Sequence, residues 1–117
     1  MLNRTERLDR TFAVLSDSTR RAILARLERE DALSVSELAR PHAIKLPAIM
    51  KHLDVLADAG LITRAKTGRT VTVRLQPRPM REAMEWLRRY ERFWNASLDR
   101  LTVLTEAREI EARKSGR

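Results

Sequence analysis

The sequence predicts a mainly α-helical chain with one small β-hairpin. Apolar residues recur every three to four positions over most of the chain, but they alternate with polar residues over residues 70–75. The positive charge is concentrated: residues 38–81 carry nine basic and two acidic side chains, which is +7 of the formal net charge of +8. A basic block of this kind produces a directed field, and its natural target is a polyanion.

Two amphipathic helices are predicted at the start of the chain, at about Arg4–Leu15 and from Ser18 to about Glu30. In both segments charged side chains separate apolar ones at the three-to-four spacing of an α-helix. Asp17 is a suitable N-cap for the second helix. The apolar positions are Leu8, Phe12 and Leu15 in the first helix and Ile23, Leu24 and Leu27 in the second.

A helix-turn-helix is predicted over about residues 34–59. Ser34 and Glu37 fit the capping-box pattern, which opens a short third helix. The fourth helix begins at Leu46 and tolerates Pro47, because that proline lies in its first turn. The glycine that follows residue 59 fits a left-handed C-terminal cap.

A two-stranded hairpin over about residues 61–75 and a long last helix complete the prediction. Thr67 and Gly68 mark a tight turn between alternating strands. Prolines then end the second strand, and a helix over roughly residues 80–113 keeps a 3-4 apolar spacing for about two and a half heptads. This order of elements is that of a winged helix-turn-helix, and we expect one domain over residues 1–117.

The outer face of the fourth helix and the hairpin are predicted to contact DNA. On a helical wheel Ile49, Leu53 and Leu56 form the inward face, which places Lys51 nearly opposite, where it can enter a major groove. The basic hairpin is placed to straddle the phosphate backbone or to reach into a minor groove. The predicted contacts are Lys45, Pro47, Ala48, Met50, Lys51, His52, Arg64, Lys66, Arg69 and Thr70.

Each of these residues has a plainer interpretation. The helix face could be an ordinary solvated surface, and the hairpin charges could merely discourage edge pairing. The concentration of charge favours DNA contact in both cases, since no acidic residue lies between Asp58 and Glu82. Two residues stay open: Met50 could touch a thymine methyl or fill the core, and His52 could be a structural histidine or contact a phosphate.

Four of the five aromatic residues lie between residues 86 and 94 of the last helix. Aromatic side chains can stack on bases in proteins that bind single strands. Their helical spacing amid mixed charge instead favours packing against another helix, as in a dimer seam.

The residues resemble one family, the ArsR-type bacterial transcription regulators. Matching segments follow the family's order over most of residues 10–104, and jointly they are a strong signal. They are FAVLSDSTRRAIL at 12–24, SVSELA at 34–39, LPAIMKHL at 46–53, AGLI at 59–62 and the Gly68-Arg69 of the hairpin.

The resemblance implies a homodimer that presents two recognition helices to a pseudo-palindromic operator, usually as a repressor. It also implies that the dimer is assembled through the first and last helices, at about residues 4–15 and 80–113. The interface residues expected on this basis are Leu8, Phe12, Leu87, Tyr90, Trp94, Leu101 and Leu104.

The chain looks similar to a metal-independent branch of that family. Metal-sensing members often carry a Cys pair in the third helix, where this chain has Ser34-Val35-Ser36, or Asp and His ligands along the last helix, which here contains no His. We therefore expect no metal and no cofactor. Family members commonly have Ser or Thr at the positions of Lys45 and Met50, so operator preference does not transfer.

Composition excludes several classes of function. Without cysteine there is no disulfide, thiolate metal site or cysteine nucleophile. The sequence has no nucleophile elbow and no phosphate-cradling glycine loop, so we expect no enzyme and no catalytic residue. No apolar stretch approaches the roughly 18 residues of a membrane span, and the N-terminus is charged where a signal peptide is hydrophobic. These features predict a cytoplasmic protein.

The leading hypothesis is a dimeric, sequence-specific regulator that binds double-stranded DNA, with repression as its expected effect. Two alternatives come from other classes. One is a protein-interaction module whose aromatic last helix docks a different partner. The other is a protein that binds nucleic acid without sequence preference. A small-molecule effector, a partner protein or autoregulation by concentration could control the regulator, and the sequence does not identify which.

Overall fold

The computed structural model describes residues 2–42 and 45–114 of the 117-residue chain. These residues form six α-helices and three β-strands. The helices are α1 (Arg4–Leu15), α2 (Ser18–Arg29), α3 (Val35–Ala39), α4 (Leu46–Asp58), α5 (Arg78–Leu87) and α6 (Glu91–Lys114). The strands are β1 (Leu33–Ser34), β2 (Ile62–Thr67) and β3 (Thr70–Leu75). The prediction of a mainly helical chain with a small sheet is confirmed. Ala43 and Ile44 of the predicted connector lie outside the described residues.

The chain divides into two compact units, residues 1–83 and residues 84–117, and the boundary lies within α5. The first unit contains the helix-turn-helix and the whole sheet. The second unit contains the end of α5 and all of α6. The single domain expected over residues 1–117 stays a prediction.

The hydrophobic core of the first unit draws side chains from α1, α2, α3, α4 and all three strands. The predicted inward face of α4 lies at its centre, since Ile49, Leu53 and Leu56 each have 0% of their surface exposed. The predicted buried stripe of α2 is also confirmed. Burial of one helix face sets the rotation of α4 about its own axis, because the close-packed core tolerates few alternative side-chain arrangements.

Local hydrogen bonds fix the starts of α2 and α3 as the sequence predicts. The Ser34 hydroxyl accepts from the Glu37 backbone N–H at 3.1 Å, and the Glu37 carboxylate accepts from the Ser34 N–H at 3.0 Å. Asp17 caps α2 by accepting from the Arg20 backbone N–H at 2.9 Å. Because a backbone N–H stabilises the charged carboxylate, these bonds hold the pKa of Asp17 and of Glu37 below their usual values.

The sheet has three strands, whereas the sequence predicts a two-stranded hairpin. Strand β1 pairs antiparallel with β3 on the side away from β2, with Leu33 opposite Val73 and Ser34 opposite Thr72. This strand is only two residues long, so it is too short for the alternation that reveals a strand in a sequence. It attaches the hairpin directly to the residues that begin the helix-turn-helix.

The hairpin turns at Gly68–Arg69, one residue later than the predicted Thr67–Gly68. Thr67 pairs with Thr70, so the loop between the strands contains two residues. Gly68 has a φ of 62°, and among the described residues no side-chain-bearing residue has a positive φ. A glycine with positive φ in the first central position is the pattern of a type II′ turn. Arg69 therefore lies at the tip of the hairpin.

The last helix is interrupted, whereas the sequence predicts one helix over about residues 80–113. Helix α5 ends at Leu87, a 3₁₀ turn occupies Arg88–Tyr90, and α6 follows. The Glu91 backbone N–H donates to the Arg88 carbonyl, which is the i→i+3 bond of a tightened turn. The described residues beyond Leu87 are all exposed. Core packing therefore no longer constrains the helix there, and periodicity alone could not reveal the break.

The buried face of α4 predicts a contrast between two leucines of that helix. Leu53→Ala should lower the free energy of unfolding by about 2–5 kcal/mol, because it leaves a cavity in a fully packed core. Leu46→Ala should lower it by only about 1 kcal/mol, because 51% of Leu46 is exposed and only part of its burial free energy is lost. Urea unfolding followed by circular dichroism at equal protomer concentration measures both values. Equal losses in the two variants would contradict the assigned face.

Candidate nucleic-acid interface

Helix α4 presents an exposed face that carries charges of both signs, Lys51, Asp54 and Asp58, on the side opposite its buried residues. Lys51 and Pro47 are exposed, as predicted, and Lys51 has no carboxylate partner among the described residues. Lys45 occupies the N-cap position with an exposed side chain that makes no capping hydrogen bond. Both lysines are therefore free to interact with an anion outside the chain.

Three predicted contact residues of α4 are only partly exposed. Ala48 and Met50 lie at the edges of the outer face, and Met50 packs against the hydrophobic core. This packing supports the interpretation of Met50 as a core residue. His52 lies on the flank of α4 opposite Met50 and is also half-buried.

His52 is held by residues at the start of α2. Its Nδ1 lies 3.8 Å from the Asp17 carboxylate and 3.4 Å from Nη1 of Arg20. Arg20 in turn donates from Nε to the Val14 carbonyl at 2.8 Å, at the end of α1. This network joins α1, α2 and α4 and supports a structural role for His52. Its phosphate contact stays a prediction.

The wing, defined as the hairpin of β2 and β3, carries basic residues on both of its faces. Paired residues share a face and neighbouring residues alternate, so Arg64 and Lys66 lie on the same face as buried Val73. Arg74 lies on the opposite face, where it pairs with Asp31 at 3.1 Å. Exposed Lys66 and Arg69 have no acidic partner in the described part of the chain, and Thr70 is also exposed.

Arg64 is tied to α4 by an ion pair that the sequence does not predict. Its Nη1 lies 2.6 Å from Oδ1 of Asp54, and the two side chains are 30% and 58% exposed. At such exposure the pair contributes little to stability, although it orients the guanidinium. Arg64 thus differs from the other predicted wing contacts, because it already has a carboxylate partner within the protein.

Exposed apolar residues of α4 escape the sequence analysis because periodicity assigns apolar residues to the core. Leu46 lies between the predicted contacts Lys45 and Pro47, and half of its surface is exposed. Val55 is also exposed, one residue beyond Asp54. Leu46 is therefore an additional candidate for an apolar contact at the start of α4.

The residues expected at the dimer interface differ in exposure within their own units. Leu8 is buried, with only 9% of its surface exposed, so it contributes mainly to packing within the first unit. Phe12 is exposed, and Leu87 is half-buried. The remaining residues lie on exposed faces of the second unit and are Tyr90, Trp94, Leu101 and Leu104.

Helix α6 exposes more apolar side chains than the predicted seam contains. Leu98 lies beside Trp94 and Leu101 on a helical wheel, whereas Val103 and Ile110 lie on the opposite side. None of the residues of α6 is buried within the chain. Large exposed apolar surfaces on proteins mark sites of interaction.

Neither a metal site nor a membrane span is found in the described residues. Across residues 2–42 and 45–114, no three His, Asp or Glu side chains lie close enough together to hold a metal ion. No helix in these ranges has the length and apolar composition needed to cross a membrane. The assignment to a metal-independent branch stays a prediction.

Comparison with known proteins identifies relatives of the chain. Residues 15–65 match a family described as a helix-turn-helix domain. The HTH-type transcriptional regulator Rv2034 of Mycobacterium tuberculosis is 37% identical over 90 residues, which cover 77% of this chain and 80% of that protein. The transcriptional repressor SdpR of Bacillus subtilis is 28% identical over 80 residues, which cover 68% of this chain and 88% of that protein.

A solved structure agrees with these relatives. The crystal structure of an ArsR family transcriptional regulator is 39% identical and aligns with a TM-score of 0.72 over 81% of this chain and 97% of its own. The chain belongs to the ArsR family. As an ArsR family protein it is a DNA-binding transcriptional regulator with a winged helix-turn-helix. The resemblance inferred from the sequence is confirmed, and the individual contact residues stay predictions.

Proposed function

We propose that this ArsR family regulator is a homodimeric repressor that binds a pseudo-palindromic operator. The observation that carries the proposal is the division of α4 into a fully buried face and an opposite face with an unpaired Lys51. A helix that is anchored on one side and exposes an unpaired lysine on the other can lie in a major groove. The name of its relative SdpR, a transcriptional repressor, supports repression.

The two basic elements have different tasks in this proposal. Lys51 and the start of α4 approach the base edges, where sequence is read. Lys66 and Arg69 of the wing contact the flanking phosphates, which position the protein without carrying sequence information. Their lack of acidic partners among the described residues favours this assignment, because neither must break an ion pair to bind DNA.

Dimerisation supplies the second recognition helix in this proposal. Helix α6 has 24 residues, a length of about 36 Å, and exposes Trp94, Leu98, Leu101 and Leu104 along one side. A second copy packed on that side would remove these apolar side chains from water. A two-fold dimer then presents two α4 helices to half-sites whose centres lie about 34–36 Å apart, one turn of DNA.

Two alanine variants test the assigned contacts. Lys51→Ala should weaken binding to a duplex selected from genomic DNA by about 5- to 150-fold, because a base contact is lost. Arg69→Ala should reduce the slope of log K against log salt by about one and leave sequence preference unchanged, because only a phosphate contact is lost. Fluorescence anisotropy at several salt concentrations measures both effects.

Arg29→Ala is the control, because Arg29 is exposed on α2, outside the basic block. It removes the same charge as Arg69→Ala and should leave the slope nearly unchanged. Unaltered affinity and slope in both Lys51→Ala and Arg69→Ala would refute the docking geometry. Equal binding to competitor DNA by the unmodified protein would instead favour a protein without sequence preference.

The ion pair between Arg64 and Asp54 generates a second test. Asp54→Asn removes a negative charge from α4 and releases Arg64, so operator binding should tighten and the salt slope should steepen by up to about one. Asp58→Asn removes the same charge from the same helix but breaks no carboxylate ion pair among the described residues. The same salt titration compares the operator affinity and the salt slope of the two variants. Equal effects of the two variants would show that the released Arg64 does not contact DNA.

The dimer seam is tested by placing an acid on either side of α6. Leu101→Asp should raise the dimer dissociation constant roughly a hundredfold or more, because two buried leucines are lost per dimer. Val103→Asp is the matched control, since Val103 is 63% exposed against 59% for Leu101 and lies on the opposite side of the helix. Light scattering coupled to size-exclusion chromatography measures the oligomer. Dissociation by Val103→Asp alone would place the seam on the other face.

A further inference from the structure

The first unit contains an apolar groove on its surface that the proposed DNA contacts do not use. It has a volume of about 450 Å³, within the range of small-molecule sites. The end of α1, one side of α2, the end of β3 and the start of α5 line it. Its apolar walls include Leu15, Leu24, Ala25, Leu75 and Met80.

Two charged side chains of opposite sign flank this groove. Arg21 and Glu28 both line it, and they are seven residues apart on α2, which is about 10.5 Å along the helix. The Arg21 guanidinium is held in place, because its Nη1 donates to the Leu15 carbonyl at 2.8 Å. Neither residue has an ion-pair partner within the described residues. The groove therefore combines apolar walls with one positioned cation.

These features select one class of ligand. A carboxylate can bind the remaining donors of the Arg21 guanidinium, which match its geometry. An apolar chain attached to that carboxylate can cover the walls. A second anionic group on the ligand would be repelled by the Glu28 carboxylate. Other polar groups on the ligand would lose their hydration against the apolar walls without gaining hydrogen-bond partners. We propose that this groove binds an apolar monocarboxylate, such as a medium-chain fatty acid, with its carboxylate on Arg21.

The groove is placed to link ligand binding to the wing. Leu75 is the last residue of β3, and Leu24 belongs to the core that packs beneath the sheet. A ligand wedged between α2 and β3 would displace the wing relative to α2. We expect it to lower operator affinity by about 5- to 150-fold, a usual range of coupling between two sites. This regulatory step rests on the proposed operator binding, whereas ligand binding does not.

Ligand binding is tested on the full chain without DNA. Calorimetric titration with decanoate should give one site per chain, and decanol should bind more weakly. In NMR spectra of protein with labelled methionine methyl groups, decanoate should shift Met80, which lines the groove, and leave Met84 unchanged. Absence of saturable decanoate binding, a larger shift at Met84, or tighter binding of decylamine than of decanoate would overturn the proposal.

Two pairs of variants locate the site. Arg21→Gln should weaken decanoate binding about tenfold and leave decanol binding unchanged, since only the charged hydrogen bond is lost. Its control is Arg29→Gln, which removes the same charge from the same helix outside the groove. Ala25→Phe should abolish binding of both ligands by filling the groove. Its control is Ala22→Phe, at an exposed position outside the lining.

The possible results distinguish failure of the ligand site from failure of the proposed operator binding. Decanoate binding that survives Ala25→Phe, or that falls equally in Arg21→Gln and Arg29→Gln, would overturn the site. Conversion of a dimer to a monomer by Ala25→Phe would show that a second copy occupies the groove. If decanoate binds as expected but leaves operator affinity unchanged, the regulatory step is wrong. If the protein binds no operator, the proposed function fails while the titration still tests the groove.

Discussion

Burial of one face of α4 is the constraint on which the rest of the structure depends. Ile49, Leu53 and Leu56 are completely buried, and a core packed at this density cannot accept them in another orientation. The opposite side of the helix must therefore face outward. Lys51 keeps its hydration there, so the protein exposes a charge that would be costly to bury. The shape of the core thus determines which side of α4 faces solvent.

Carboxylates from neighbouring segments divide the cations of the wing into two kinds. Asp54 and Asp31 hold Arg64 and Arg74 on opposite faces of the wing, against α4 and against the segment after α2. Such exposed ion pairs orient side chains more than they stabilise the fold. Among the described residues, Lys66 and Arg69 near the tip are not restrained in this way. The wing cations without a carboxylate partner among the described residues are therefore those nearest its tip.

Features repeated along the chain or confined to a few neighbouring residues could be predicted from the sequence. The buried face of α4 recurs over about two turns, and the capping box of Ser34 and Glu37 requires only four residues. Strand β1 could not be predicted, since its partners in β3 lie about forty residues away and it has no period of its own. The pairing of Arg64 with Asp54 depends on how β2 crosses α4. Met50 lies at the edge of a helical face, where only the packing of neighbouring elements decides its environment.

Ser34 belongs to two structures at once. Its hydroxyl caps α3, and its backbone is part of the strand that pairs with β3 opposite Thr72. The helix-turn-helix and the wing are therefore joined through a single residue as well as through their shared core. A twist of the wing that follows bending of a bound duplex would pull directly on the first turn of α3. The wing and the helix-turn-helix are therefore mechanically coupled at this residue.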